Sequence, residues 1–435
     1  MNQSAQSTER DLKPFFILWT GQAISLFGSQ LVQFALIWWL TETTGSATIL
    51  SLASLVGLLP QVLLGPFVGV LVDRWPRRQT MFVADSIVAL ATLVLSALFW
   101  LGIVEVWHLF VLLFVRALAG AFHWPAMQSS TSLMVPEAQL TRVQGMNQVL
   151  HGGLNVASAP LGALLLALMP VQGILLIDVS TAVFAIVPLL FIAVPQPPKL
   201  AGATAVSRTS FWNDMRAGFR YAWGWPGLML LMGMAMVINL ILSPAFSLLP
   251  LLVVDHFGGT AVQLGWVNAA FGVGIIAGGS LLSAWGGFER RIVTSLTGLI
   301  GMGCGALLVG AAPGHLLLLA LGGSVLLGLM QPLVNGPIHA IFQARIDPEM
   351  QGRMFTLIAS LASAMTPIGL MIAGPVSDLL GVRLWYLVGG LVTLVMGVGG
   401  FFVPLLMHIE ERPSAVPAEP APRPAVETAV REPAA

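Results

Sequence analysis

Charge is the scarcest commodity in this 435-residue chain. Only 9% of its residues are Asp, Glu, Lys or Arg, against about a quarter in a soluble domain. A water-facing surface cannot be built from so little charge, whereas a lipid-facing one needs none. Lysine is scarcer still: Lys13 and Lys199 are the whole supply, and neither closes a glycine-rich phosphate loop, which argues against an ATP-driven machine. One cysteine, Cys304, allows no intrachain disulfide and no cysteine-rich metal cluster, and no HExxH spacing occurs. The formal net charge is zero, so no nucleic-acid partner is expected. The expectation is a protein that is not an enzyme and holds no cofactor or metal. The opening MNQSAQSTERDLKP lacks a basic stretch followed by a short apolar core and a small-residue cleavage site, and reads as a cytoplasmic tail.

What the chain has in plenty is apolar length, with 57% hydrophobic residues and a mean hydropathy of +0.88. A helix needs about 20 apolar residues to cross the hydrocarbon. Twelve such stretches are present, at 14–42, 46–72, 79–102, 106–135, 141–169, 172–194, 227–254, 261–286, 292–312, 315–344, 350–380 and 384–408. The predicted fold is an all-α membrane protein of twelve transmembrane helices in two pseudo-symmetric six-helix bundles. Its parts are a tail 1–13, bundles 14–194 and 227–408, a linker 195–226 and a disordered Pro/Ala/Glu-rich tail 409–435. Within the linker, Phe211, Trp212, Met215, Phe219 and Ala222 share one helical face, as in an amphipathic helix lying at a membrane interface. With the N-terminus inside, 17 of the 19 basic residues fall in cytoplasmic segments, so both termini are expected in the cytoplasm of a cell carrying the protein in its plasma membrane.

The halves look related. Pro125, Pro136 and Glu137 recur 212 residues later as Pro337, Pro348 and Glu349, at the same topological junction. Parallel repeats of this kind build secondary transporters whose substrate site lies between the halves. Without a nucleotide site, transport must use an ion gradient or run downhill. One proton crossing about 100 mV supplies about 2.3 kcal/mol, enough for roughly a 50-fold gradient of a neutral substrate.

Polar residues that step along one helical face mark candidate walls of a wet cavity. Span five carries Gln144, Gln148, His151, Asn155 and Ser158, and span ten carries Gln331, Asn335, His339 and Gln343. Span one offers Gln22, Ser29 and Gln33, and span four offers Arg116 and His123. The alternative for any one amide is a plain interhelical hydrogen bond, worth about 0.6 kcal/mol. Arg116 lies near the midplane, where a charge is costly and functional by default. It could hold the backbone of span one, sense protonation or form a structural pair. Asp178 is read either as a hydrogen-bonded structural group or as a proton carrier. Asp85, near the start of span three, is read as a partner of the loop before it. Asp255 and Asp378, at span ends, are read as solvated. No carboxylate falls in the middle of spans 1, 4, 7 or 10. That favours a bulky amphipathic substrate, held by apolar contact and amides, over a small hard cation.

The loop GVLVDRWPRRQ between spans two and three sets Gly69, Asp73, Arg74, Arg77 and Arg78 at one membrane edge. An acid among arginines can latch two helices by charge-assisted bonds and so bias a two-state equilibrium. This Gly-x-x-x-Asp-Arg-x-x-Arg-Arg pattern, with Arg116 in LFVRALAGAFHWPAM, resembles the major facilitator superfamily. The segments LTETTGSATILSLASLVGLLPQVLLGPFVGVLVDRWPRRQ and LMVPEAQLTRVQGMNQ are similar to its macrolide-efflux exporters. The resemblance implies proton-coupled export from the cytoplasm by a monomer, with spans 1, 4, 7 and 10 around a central cavity. On that basis Gln22, Gln33, His123, Gln148, His151, Asn155, Gln331, Asn335 and His339 are candidate substrate contacts. Arg116 and Asp178 are candidate proton-coupling groups. Gly69, Asp73, Arg74, Arg77, Arg78 and Asp85 are candidate gating groups. The partners implied are a small-molecule substrate, protons and the lipid bilayer. Two departures stand out: Pro76 occupies a position where many relatives have glycine, and the fifth span reads Ala159-Pro160-Leu161-Gly162 where other drug exporters carry a Gly–Pro pair. Two other readings stay open: a transporter of the same fold exporting an endogenous metabolite such as a siderophore or lysolipid, and a non-transporting membrane scaffold or sensor.

Overall fold

A computed structural model describes residues 12–195, 216, 219–346 and 348–411. Twelve helices in it are long and apolar enough to cross a membrane. In chain order they are α1 (Lys13–Thr44), α2 (Ala47–Arg74), α3 (Arg77–Trp100), α4 (Val106–Met134), α5 (Glu137–Leu168) and α6 (Val171–Phe191), then α7 (Pro226–Ser247), α8 (Ala261–Trp285), α9 (Arg291–Ala311), α10 (Leu317–Arg345), α11 (Pro348–Leu380) and α12 (Arg383–Gly400). The predicted spans coincide with them except at two ends. The seventh stretch, expected to run to residue 254, stops at Ser247, where Pro244 and Pro250 flank the break. The chain continues as one helical turn, Leu249–Leu251, and a π-helical turn, Leu252–His256. The twelfth stops at Gly400, four residues before Pro404 opens a further turn. A missing proline N–H and its ring clash end a helix in just these places. Most of the expected linker, the tails 1–11 and 412–435, and residue 347 lie outside the described residues.

The two halves repeat one packing scheme. In the first, α1 packs on α5 and α6, α2 on α4, and α3 on α4 and α6. In the second, α7 packs on α11 and α12, α8 on α10, and α9 on α10 and α12. Each contact is the earlier one shifted by six helices. The halves meet through α2 against α11 and α5 against α8, which the same shift interchanges. Pro125 and Pro337 sit inside α4 and α10, and Pro136 and Pro348 at the starts of α5 and α11, so the sequence repeat falls on equivalent structural positions.

An even number of spans puts both termini on one face. At the opposite face, buried side chains from both halves form one apolar cluster that includes Leu36, Leu40, Leu50, Leu248, Leu252 and Leu264. Toward the termini, the described buried residues form two separate clusters, one per half. The halves are therefore joined at the face remote from the termini. Gly374 of α11 lies so close to α2 that a methyl group there would sit 2.7 Å from Thr48 Cα. Beside it, Asp378, exposed as expected at its span end, also caps the start of α2. Its carboxylate accepts from the Ala47 N–H (2.7 Å), the Thr48 N–H (3.1 Å), Thr48 Oγ1 (2.5 Å) and Ser46 Oγ (3.2 Å). An acid at a helix N-terminus satisfies donors that have no partner inside the helix. Asp255 does lie exposed at its turn, and its partial burial raises its carboxyl above the usual range.

The Asp378 cap should weight the equilibrium toward a closed remote face. Water reaches this carboxylate, so its loss is worth about 1 kcal/mol, or about a fivefold change. With Cys304 replaced and nitroxides at positions 42 and 379, Asp378→Ala should enrich the longer-distance population by about that factor. An unchanged distance distribution would show that the cap carries no conformational weight.

Candidate functional site

The first helix is pressed onto α6 by two glycines seven residues apart. A methyl group at Gly21 would lie 2.1 Å from Phe184 O, and one at Gly28 would lie 2.1 Å from Thr181 Oγ1 and 3.2 Å from Asp178 Cα. Only a residue without a side chain allows helices so near. This approach brings Asp178, 2% exposed, against Ser29 on α1. The Asp178 carboxylate accepts from Ser29 Oγ (3.0 Å), Thr92 Oγ1 on α3 (3.4 Å) and Arg116 Nη1 on α4 (2.8 Å). Arg116 Nη2 also donates to Ser29 O at 3.0 Å. One buried ion pair thus ties α1, α3, α4 and α6 together, and the guanidinium meets a carboxylate instead of hydrocarbon.

A second polar layer lies two helical turns, about 10 Å, nearer the termini. Gln22, Asp85 and His123 stand seven residues from Ser29, Thr92 and Arg116 on α1, α3 and α4 respectively. Gln22 Nε2 donates to Asp85 Oδ2 at 2.9 Å. His123 Nε2 lies 3.3 Å from Asp85 Oδ1, yet this buried nitrogen makes no aligned hydrogen bond. At that distance an imidazolium and a carboxylate form an ion pair. Asp85, expected as a partner of the loop before α3, lines the cavity against Gln22 and His123.

Both layers line one cavity of about 250 Å³ inside the first half, walled by α1, α3, α4, α5 and α6. Trp19, Trp124 and Met127 give it an apolar, aromatic rim, and Trp19 Nε1 donates to Asn147 Oδ1 of α5 at 2.7 Å. Spans 1, 4, 7 and 10 carry no central carboxylate, as read from the sequence, but α3 and α6 deliver two acids to this cavity. A second cavity, about 300 Å³, lies between the halves and is lined by Gln30 and Gln33 of α1, Ser158 of α5, Phe246 of α7 and Asn268 of α8, among others.

The remaining candidates separate. Gln331, Asn335 and His339 sit on α10, the first half-buried and the other two exposed, and they line neither cavity. The side chains of Gly69, Asp73, Arg74, Gln144, Gln148, His151 and Asn155 lie outside the described residues. Arg77 Nη1 donates to Ser129 O of α4 at 2.9 Å, and Arg78 donates to Leu189 O and Leu190 O at the end of α6. Both therefore bind backbone carbonyls within the first half, α6's among those left over at its C-terminus. Thr92, Trp19, Asn147, Gln30 and Asn268 were missed as site residues. The seven-residue pairing of polar residues on α1, α3 and α4 was the available signal for Thr92.

The sequence matches the Major Facilitator Superfamily over residues 18–357 and 241–434. It is 35% identical over 384 residues to "Macrolide efflux protein A" of Streptococcus pyogenes, covering 88% of this chain and 94% of that protein. It is 27% identical over 422 residues to "Multidrug efflux pump Tap" of Mycobacterium tuberculosis (strain ATCC 25618 / H37Rv), covering 92% and 96%. Among solved structures, a POT family transporter in complex with 5-aminolevulinic acid superposes with a TM-score of 0.67 at 13% identity, over 89% of this chain and 95% of that one. The nucleoside transporter NupG superposes with a TM-score of 0.63 at 12% identity, over 92% and 99%. These superpositions show a shared fold.

Removing one member of the Arg116–Asp178 pair leaves the other largely buried without its counter-charge, at a cost of about 3 kcal/mol. Arg116→Ala and Asp178→Ala should each lower the melting temperature of detergent-purified protein, while the double variant melts no lower than the worse single one. Additive losses would show that the two charges do not depend on each other.

Proposed function

The chain belongs to the major facilitator superfamily, and from that premise we propose that it exports a bulky, macrolide-like amphipathic drug in exchange for protons. That it is a multi-pass membrane transporter follows from its family and its twelve spans. The observation that carries the finer reading is the cavity of the first half, where apolar and aromatic side chains surround a few convergent polar groups. Such a lining suits a large molecule that is mostly apolar with a few polar groups. Its volume is at the small end for a drug, so the cargo needs room beyond it, and the cavity between the halves adds Gln30, Gln33 and Asn268. The likeness to macrolide and multidrug efflux proteins favours the same cargo class.

In this reading both termini face the cytoplasm, as the arginine distribution favours. The remote face, joined by the shared apolar cluster and the Asp378 cap, is then the extracellular one, and the described state is loaded from inside. Gln331, Asn335 and His339 face the vestibule between the halves, because amides facing acyl chains would cost free energy. Gly69, Asp73, Arg74, Arg77 and Arg78 are assigned the gating role at the cytoplasmic edge on the sequence pattern they form. Gln148, His151 and Asn155 are assigned to cargo binding on their shared helical face in the sequence. Rocking of one half against the other about α2–α11 and α5–α8 exposes the cargo to the other side. The repeat is complete in one chain, which favours a monomer as the working unit.

Expression in an efflux-deficient bacterial host should lower accumulation of a radiolabelled macrolide, and a protonophore should abolish the difference. Arg116→Ala should abolish transport while the protein still inserts into the membrane. Unchanged accumulation with wild-type protein correctly inserted would overturn the assignment of cargo. A difference that survives the protonophore would overturn the coupling to protons.

A further inference from the structure

We propose that Asp85 and His123, and not Arg116 and Asp178, form the site where the transported proton is taken up and released. This rests on the proton-driven reading above and names the atoms that would carry it. The two carboxylates of the cavity differ in how fully they are engaged. Asp178 accepts from donors on three other helices, and one of them is a guanidinium, which stays charged at any working pH. The Asp178 lone pairs are thus shared among a guanidinium and two hydroxyls. Asp85 accepts one described hydrogen bond, from Gln22. Its other oxygen faces the imidazole of His123, whose nitrogen is close but unaligned. Both side chains keep some accessibility from the cavity, 13% and 20%, whereas the Asp178 side chain keeps 3%.

The surroundings leave this pair to answer for itself. Facing it, α1 presents Gln22 and Trp19, neither charged, and α5 presents Asn147. Arg116 of α4 and Asp178 of α6 stand two turns deeper and neutralise each other. Arg77, at the start of α3, is bound to Ser129 O. The side chains of Asp73, Arg74 and His151 lie outside the described residues. Histidine is the side chain whose ordinary titration falls near neutral pH. The step is simple: a proton adds to the neutral imidazole of His123, and the imidazolium turns its N–H onto the Asp85 carboxylate 3.3 Å away. Loss of that proton leaves the Gln22 amide as the described hydrogen-bond donor to Asp85. Gln22 sits on α1, the helix whose Gln30 and Gln33 wall the cavity between the halves. A charge change at Asp85 therefore acts on a helix that reaches the moving interface.

Proton and cargo must then oppose each other, since exchange requires that each weaken the other's binding, and the coupling is reciprocal. Erythromycin binding to the detergent-purified full chain can be followed by tryptophan quenching between about pH 5.5 and 8.5. In wild-type protein the affinity should fall as pH falls, approaching about tenfold per pH unit below the titration. Asp85→Asn and His123→Gln should each bind with an affinity that ignores pH, and Asp85→Glu should restore the slope. Asp178→Asn should keep the slope whatever its affinity. A slope that survives in both Asp85→Asn and His123→Gln, or that Asp178→Asn alone removes, would overturn the assignment while leaving proton-driven export standing. A wild-type protein whose affinity ignores pH would overturn the proton-driven reading and this proposal with it.

Discussion

A guanidinium placed near the middle of an apolar bundle must be matched, and much of the first half is arranged around matching Arg116. Its partner does not come from a neighbouring turn. It comes from α6, and α6 can deliver it only because Gly21 and Gly28 let two helix backbones nearly touch. Ser29 then serves both partners, with its hydroxyl on Asp178 and its carbonyl on Arg116. Such pairs add little net stability over an apolar core, but each member is costly to lose. The pair is therefore best understood as a fixed point that sets the register of α1, α3, α4 and α6.

With that layer fixed, the layer two turns away is free to change. It repeats the same three helices with softer chemistry: an amide in place of a serine, an aspartate in place of a threonine, and an imidazole in place of a guanidinium. The first layer has its carboxylate engaged by three side-chain donors, while the second has a nitrogen without an aligned partner. This division of labour between a rigid and a responsive layer fits a carrier, which must keep each half intact while the two halves exchange positions. The contacts between halves follow the same logic. They are apolar and continuous at one face, with a carboxylate cap at the edge, and the described apolar clusters at the other face stay separate.

The architecture was legible in the sequence because lipid leaves few choices. Twelve apolar runs, the alternation of arginines and the shared Pro125/Pro337 position lead to twelve helices in two related halves. The Arg116 charge was legible for the same reason. Its partner was not, because nothing along the chain marks which face of α6 meets α1; that depends on glycine contacts that act across helices. The cavity contacts of Asp85 were missed for a related reason. Its nearness in sequence to the arginine-rich loop outweighed its seven-residue offset from Thr92, which is what sets its height in the bundle. The cap made by Asp378 was not legible, because a helix N-terminus from the other half is invisible to any one-dimensional pattern. The amides of α10 were found by periodicity, but periodicity gives a face and not what the face looks at.

The central claim is that cargo is held against the two polar layers of the first half, with α10 facing it across the gap. A photoreactive macrolide cross-linked to the full chain in lipid, with adducts mapped by peptide mass spectrometry, tests this directly. The account predicts adducts on Trp19, Trp124 and Met127 together with the Gln331–His339 stretch, all suppressed by excess unlabelled drug. Adducts confined to the outer α3–α4 groove around Val83, Ile87 and Phe122, with none in the cavity, would contradict it.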